Sequence, residues 1–210
     1  MSLMGSMYPN NYIMHIRPVF ETNPNYYQTS PYFISNSFTK EELEWIGNLQ
    51  ELYPYHDATI GADEISEIDT SIRKSRIKWI HHDERSWWVY DKLVTFINEA
   101  NKSWGFTINS ITDPIQYTEY YENGGHYDWH MDVGDYPQNN RKISITIQLS
   151  NPDDYEGGDL EFWVGREPKQ APREQSFAVL FPSYLMHRVT PITKGTRKSL
   201  VVWVGGDTFR

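Results

Sequence analysis

The sequence predicts a mostly β domain with supporting helices, its strands arranged as a sandwich, jelly roll or barrel. Two observations carry this. After Gly105 the chain breaks into short runs of period-two alternation at 115–121, 125–132, 142–149, 158–163, 175–181, 185–190 and 197–204, punctuated by Gly, Pro, Asn and Asp. Many short strands at close spacing are the signature of such folds. Before Gly105, apolar residues recur instead at helical spacing in two segments.

The elements follow in chain order. Residues 1–36 are rich in Asn, Tyr, Pro and Ser and read as an extended arm, with one strand over Tyr12–Phe20. The opening Met-Ser-Leu-Met-Gly-Ser reads as a ragged tail, not a targeting segment. Thr39 and Glu42 form a capping-box pattern, so a helix spans 40–53 with Leu43, Ile46, Leu49 and Leu52 on its apolar face. Asp57–Asp69 mixes acids with Gly and Ala as a solvated surface loop, and Ile72–Ile80 reads as a strand. A second helix starts at Asp83 or Glu84 with Asp83 as N-cap. It turns Trp87, Tyr90, Val94 and Ile97 inward and ends near Trp104-Gly105. The clearest strand is Lys142–Leu149: Ile143, Ile145, Ile147 and Leu149 share one face, and Ser144, Thr146 and Gln148 share the other. This gives one domain over 37–210, with helical support at 37–110 and a jelly-roll core at 111–205.

Composition narrows the function. The 210 residues suit one domain with a substantial core. Aromatics are abundant, yet no run approaches the roughly 18 apolar residues of a membrane span. Cysteine is absent, which excludes disulfides, thiolate metal sites and cysteine nucleophiles and agrees with a reducing cytoplasm. A net charge of −9 argues against a nucleic-acid partner.

Three His-x-Asp units occur: His81/Asp83, His126/Asp128 and His130/Asp132. In a strand, i and i+2 share a face, so each unit offers an imidazole and a carboxylate to one metal. With three copies present, the spacing alone is not diagnostic. His81 and Asp83 fall at a strand-to-helix junction and read as structural. His126 and Asp128 share a face with the third pair if the strand is regular, and read as pocket wall or hydrogen-bonding groups. His130 and Asp132 lie at the strand end, where side chains reach a cleft mouth. His187, on a later apolar strand, is the candidate second imidazole, the alternative being a satisfied core histidine, and the sequence downstream of it favours the ligand reading. Two histidines and a carboxylate leave the opposite coordination positions open, which suits Fe(II) oxygen chemistry. On the last strand Arg197, Ser199, Val201 and Trp203 share one face. A guanidinium pointing into a jelly-roll interior implies a buried anion, and its planar fork suits a carboxylate.

These segments resemble the Fe(II)- and 2-oxoglutarate-dependent dioxygenases, in particular the prolyl 4-hydroxylase-like branch with its PKHD-type hydroxylases. The likeness rests on Tyr121-Glu-Asn-Gly-Gly-His-Tyr-Asp-Trp-His130-Met-Asp132, Ser150-Asn-Pro-Asp-Asp-Tyr-Glu-Gly157-Gly158-Asp159-Leu160, Phe181-Pro-Ser183, His187-Arg-Val-Thr-Pro191 and Gly195-Thr-Arg197. It covers about 115–205 and implies a double-stranded β-helix, cupin-like in outline. It implies His130, Asp132 and His187 as iron ligands, Arg197 and Tyr121 on the far carboxylate of 2-oxoglutarate, and Ser199 beside them. Dioxygen is then the oxidant, ascorbate a candidate reductant, and succinate and carbon dioxide the co-products. Asp159 stands where the branch carries Glu, and Gly157-Gly158 reads as a turn with unusual backbone angles. Tyr117, Trp129, Trp163 and Trp203 are candidate aromatics for packing against a flat substrate.

The implied reaction is hydroxylation of an unactivated C–H bond, most simply on a prolyl residue of a peptide or protein. The alternatives are a free amino acid or other small metabolite as substrate, and a non-enzymatic jelly-roll binding protein. A nucleic-acid demethylase fits less well: the second arginine of its Arg-x5-Arg pattern is replaced here by Trp203.

Overall fold

The computed structural model describes residues 30–59, 68–135 and 138–208. The strand expected at Tyr12–Phe20 and most of the acidic loop at Asp57–Asp69 lie outside them.

Two antiparallel sheets face each other. The strands are β1 (Tyr32–Ile34), β2 (His56–Asp57), β3 (Arg73–Lys74), β4 (Arg76–Ile80), β5 (Ile108–Ile111), β6 (Ile115–Tyr121), β7 (His126–His130), β8 (Arg141–Gln148), β9 (Tyr155–Gly157), β10 (Leu160–Val164), β11 (Glu167–Gln170), β12 (Ala178–Pro182), β13 (His187–Val189) and β14 (Ile192–Gly206). The larger sheet runs β1-β12-β8-β14-β6-β4-β2, with β5 and β9 also on β14, and the smaller runs β11-β10-β13-β7-β3. This is the mostly β jelly roll the alternation predicts. The short strands β5, β9 and β11 escape sequence reading, because runs of three or four residues carry too little alternation.

The helices α1 (Lys40–Leu49) and α2 (Trp87–Asn101) cover one face of the larger sheet. Ile46, Leu49, Val89, Leu93, Ile97 and Ala100 pack there against Ile143, Ile145, Ile147, Leu200 and Val202, all buried. The Thr39/Glu42 capping box forms as expected. Leu52, however, is 59% exposed, because the helix tightens into a 3-10 turn over Gln50–Leu52 and rotates it off the apolar face. The second helix begins later than expected. Asp83 closes the turn before it, its Oδ1 accepting from the backbone N–H groups of Arg85 and Ser86, and Ser86 is the residue before the helix. The buried face is consequently Val89, Tyr90, Leu93, Ile97 and Ala100, while Trp87 and Val94 are exposed.

Ile72–Ile80 is not one strand. The chain switches sheets at Ser75: Arg73 pairs with Tyr127 in the smaller sheet, and Arg76–Ile80 pairs with β6 in the larger. On β8 the pattern holds, but both faces are buried. Ile143, Ile145 and Ile147 meet the helices, while Ser144, Thr146 and Gln148 are buried between the sheets. A polar face enclosed by two sheets asks for polar occupants.

Candidate metal centre and anion pocket

His130 ends β7 and His187 begins β13, and the two are cross-strand partners. Asp132 lies two residues on, where its backbone N–H donates to the Ser183 carbonyl at 2.9 Å and pins the turn. The Asp132 Oδ1 lies 3.6 Å from His130 Nε2, and its Oδ2 lies 3.6 Å from His187 Nε2. All three ligand atoms fall within 4.8 Å of one another, a spacing that one metal ion can bridge. The Nδ1 atoms face backbone carbonyls, of Asp128 at 2.7 Å for His130 and of Leu185 at 2.8 Å for His187. A carbonyl only accepts, so each Nδ1 carries the proton and each Nε2 keeps its lone pair for the metal. Burial, reinforced by His187, pushes His130 down to about 3 against the pull of Asp132. Burial opposes ionisation of Asp132, yet His187, His130 and a Ser144 hydrogen bond hold its carboxyl below the usual range. His130 and Asp132 therefore rest in their ligating states at neutral pH.

A β-bulge aims this site. Between the pairs His187↔His130 and Val189↔Tyr127, β7 advances three residues while β13 advances two. The extra residue resets the alternation, so both Tyr127 and His130 face inward. The expectation that His126, Asp128, His130 and Asp132 share one face rests on a regular strand, and the bulge overturns it. His126 hydrogen-bonds the carbonyls of Gly124 and Ser71, and Asp128 caps the Trp129 N–H. Both are hydrogen-bonding groups outside the pocket. His81 and Asp83 sit at the junction before α2 as structural residues.

Arg197 lies between the sheets at 1% exposure, and its Nε and Nη2 donors have no partner among the described residues. Burial lowers its pKa against the help of Tyr120 and Tyr155. Nearby, Ser199 Oγ and Gln148 Oε1 are also buried without partners among the described residues, and Ser199 and Gln148 face each other across β14 and β8. Gly158, at φ 65°, makes room: a Cβ there would come within 3.2 Å of Arg197 Cδ. Gly157 is likewise left-handed at φ 74°, as the turn reading expects. Asp159 pairs with Arg173 at 2.7 Å.

Tyr121 is displaced from this pocket. The register of β6 on β14 sets Tyr120, not Tyr121, opposite Arg197, and Tyr121 opposite Thr196. Neighbours on a strand point to opposite faces, so a slip of one residue decides which phenol meets the anion. Tyr120 is buried with Arg197 5.5 Å from its ring centroid, whereas Tyr121 lies under Lys74 and Arg76 on the other face.

A cavity of about 610 Å³ opens from the triad, walled by Tyr127, Trp79, Trp203, Arg73 and Arg141 among others. Tyr127 stacks on His130 with centroids 3.5 Å apart, and Arg141 covers the Trp203 ring at 4.1 Å while pairing with Asp113. Of the four aromatics expected near the mouth, Trp203 alone lines this cavity. Tyr117 packs in the helix-facing core, and Trp129 and Trp163 form an edge-to-face pair 5.4 Å apart, with Trp163 half exposed. Arg73, Arg141, Gln148 and Tyr120 were invisible as site residues in the sequence. The cross-strand register alone identifies Tyr120 and Gln148.

The fold and site define a class: a double-stranded β-helix with a facial His-Asp-His set beside a buried anion pocket. The donor set fits a ferrous ion, and the unpaired Arg197 donors with Tyr120 fit the far carboxylate of a 2-oxoglutarate. Comparison with known proteins agrees. Residues 115–205 match the 2OG-Fe(II) oxygenase superfamily. PKHD-type hydroxylases of Teredinibacter turnerae and Gloeothece citriformis are 37% and 38% identical over 89 and 86 residues. Each match covers 40% of this chain and 39% of the relative, so the chain spans well under half the length of these relatives. The fold resembles a Trichoplax adhaerens prolyl hydroxylase in complex with a hypoxia inducible factor peptide fragment, with a TM-score of 0.69, 20% identity and 83% of each chain covered. It also resembles a Pseudomonas putida prolyl-4-hydroxylase, at 0.66 and 17%, covering 85% of this chain and 94% of that one. Over residues 115–205 the chain is therefore similar to the 2OG-Fe(II) oxygenase superfamily and to PKHD-type hydroxylases, and its fold is similar to that of prolyl hydroxylases.

Proposed function

We propose that the chain is an Fe(II)- and 2-oxoglutarate-dependent dioxygenase that hydroxylates an unactivated C–H bond, on a prolyl residue of a peptide or protein. One observation carries this reading. A convergent His130-Asp132-His187 set lies in the same inter-sheet space as a buried guanidinium with two free donors. A buried charge without a partner is costly, so the two features together suit a cation and an anion as occupants.

Bound ferrous iron supplies the capacity to activate dioxygen at the expense of 2-oxoglutarate. The chain does the rest. His130 and His187 present Nε2 lone pairs, oriented by their Nδ1–carbonyl hydrogen bonds. Asp132 supplies the anionic ligand, and Ser144 steadies it. Arg197 and Tyr120 hold the co-substrate's far carboxylate, with Gln148 and Ser199 beside them. Leu160, Val189 and Val201 line the wall and limit water. The aromatic surfaces of Tyr127, Trp79 and Trp203 suit a flat apolar ring such as a prolyl side chain. The cysteine-free chain suits a reducing cytoplasm, where ferrous iron persists. Among the described residues no helix is long and apolar enough to cross a membrane.

The test is product analysis by mass spectrometry after incubating the protein with ferrous iron, 2-oxoglutarate and proline-containing peptides. The expected result is succinate release coupled to a one-oxygen gain, both lost in His130→Ala and His187→Ala while circular dichroism stays native. Succinate release that persists in either variant refutes the metal assignment.

A further inference from the structure

We infer that Arg73 is a second carboxylate-recognition site, and that the primary substrate reaches the cavity carrying an anionic group that Arg73 receives. The inference rests on the proposed oxygenase reading and deepens it by naming a chemical feature of the substrate.

Three guanidiniums bear on the inter-sheet space. Arg141 is neutralised by Asp113 at 2.9 Å. Arg197 is the one assigned to the co-substrate. Arg73 remains. It lines the cavity at 8% exposure, and no carboxylate among the described residues pairs with it. Its contacts are neutral: Ser75 Oγ at 3.1 Å, with the Thr59 carbonyl and Gln116 Oε1 both at 3.4 Å, the long end of the hydrogen-bonding range. An enclosed guanidinium with only weak neutral acceptors is costly unless a counter-charge joins it.

The position of Arg73 separates it from the co-substrate pocket. It reaches Gln116, which faces Val201, whereas Arg197 faces Tyr120, four residues further along β6. Those two β6 positions are about 13 Å apart along the strand, and both guanidiniums act electrostatically on the Tyr120 phenol between them. Its guanidinium lies 4.7 Å from the Tyr127 ring, whose other neighbour is the stacked His130 imidazole. Arg73 therefore lines the cavity beside the metal centre, whereas Arg197 is not among the residues that line it. The charges agree. With a divalent metal, Asp132, Arg197 and a doubly negative co-substrate the sum is zero, and among the described residues Arg73 is the excess positive charge. One carboxylate on the substrate balances it. The carboxylate has two sources, the α-carboxylate of a free or C-terminal residue, or an acidic side chain next to the residue that enters.

The test is a binding measurement that does not need turnover. Trp79 and Trp203 line the same cavity, so ligand seating changes tryptophan emission. Protein loaded with Mn(II) and saturating 2-oxoglutarate is titrated with N-acetyl-L-proline, N-acetyl-L-prolinamide and an amidated Glu-Pro dipeptide. The expected result is that at least one carboxylate probe binds about tenfold or more tightly than the amide, the scale of a charge-assisted contact. The acid and the Glu-Pro arm report which source is used. Arg73→Gln should erase the preference and Arg73→Lys should keep part of it. Equal binding of all three probes to the unaltered protein overturns the inference without any variant, as does a preference that survives in Arg73→Gln. Failure of the oxygenase reading is separate: it appears as absent succinate with the acid–amide preference intact.

Discussion

Replacing Arg197 with Met should stabilise the co-substrate-free protein and abolish its stabilisation by 2-oxoglutarate. Arg197 is fully buried, and two of its donors have no partner among the described residues. Each unsatisfied buried donor costs about 1–3 kcal/mol, and apolar replacement of buried charge often stabilises a fold. Met keeps much of the stem that lies against Gly158 while removing the charge. Allowing for imperfect refilling, a gain of about 2 kcal/mol is expected, which raises Tm by about 4–8 °C in a domain of this size. The opposite holds with ligand. At a concentration one hundred times its Kd, 2-oxoglutarate stabilises the native state by about 2.7 kcal/mol, and the variant should lose that increment. Scanning calorimetry on both proteins, with EDTA alone and with Mn(II) plus 2-oxoglutarate, reads both effects. If Arg197→Met melts lower than the unaltered protein in EDTA, the guanidinium is satisfied in the empty state and the reasoning fails. If the variant still responds fully to 2-oxoglutarate, Arg197 is not the anchor.

Tyr120→Phe should weaken 2-oxoglutarate binding by about tenfold, the loss of a hydrogen bond to a charged group, while Tyr121→Phe stays within about twofold; calorimetric titration separates them. Thr39→Ala removes the side-chain half of the capping box at α1 and should lower stability by about 1 kcal/mol in urea denaturation. In metal-free protein, His130 is depressed to about 3 from its ordinary 6.5, so the unfolded chain binds the extra proton across that window. Its contribution is complete above about pH 6.5 and falls by up to about 1.4 kcal/mol per pH unit on acidification toward 3. Urea midpoints in EDTA from pH 7 to 4 check this, and a His130→Gln variant should flatten the slope.

Legibility in the sequence followed the range of the interaction that decides each feature. Local chemistry was readable. The Thr39–Glu42 cap, the alternation of Lys142–Leu149 and the left-handed Gly157-Gly158 turn each depend on a few neighbouring residues. Patterns that needed an unbroken period failed where the backbone broke it. The switch between sheets at Ser75 split one expected strand into two, and the late start of α2 exchanged Trp87 and Val94 for Val89 and Leu93.

By itself the sequence determined the β-rich class, the helical layer, and the residue types of the candidate metal site and the buried guanidinium: His130, Asp132, His187 and Arg197. Tertiary structure alone decided which neighbours serve them. The bulge on β7 turned His126 and Asp128 outward and Tyr127 inward. The register of β6 on β14 chose Tyr120 over Tyr121, and the closing of two sheets left Arg73 beside the candidate metal centre with no counter-charge among the described residues. The physical reason is the two-residue period of a strand. One residue of slip or insertion reverses every side chain beyond it, and only pairing with a distant strand sets that phase.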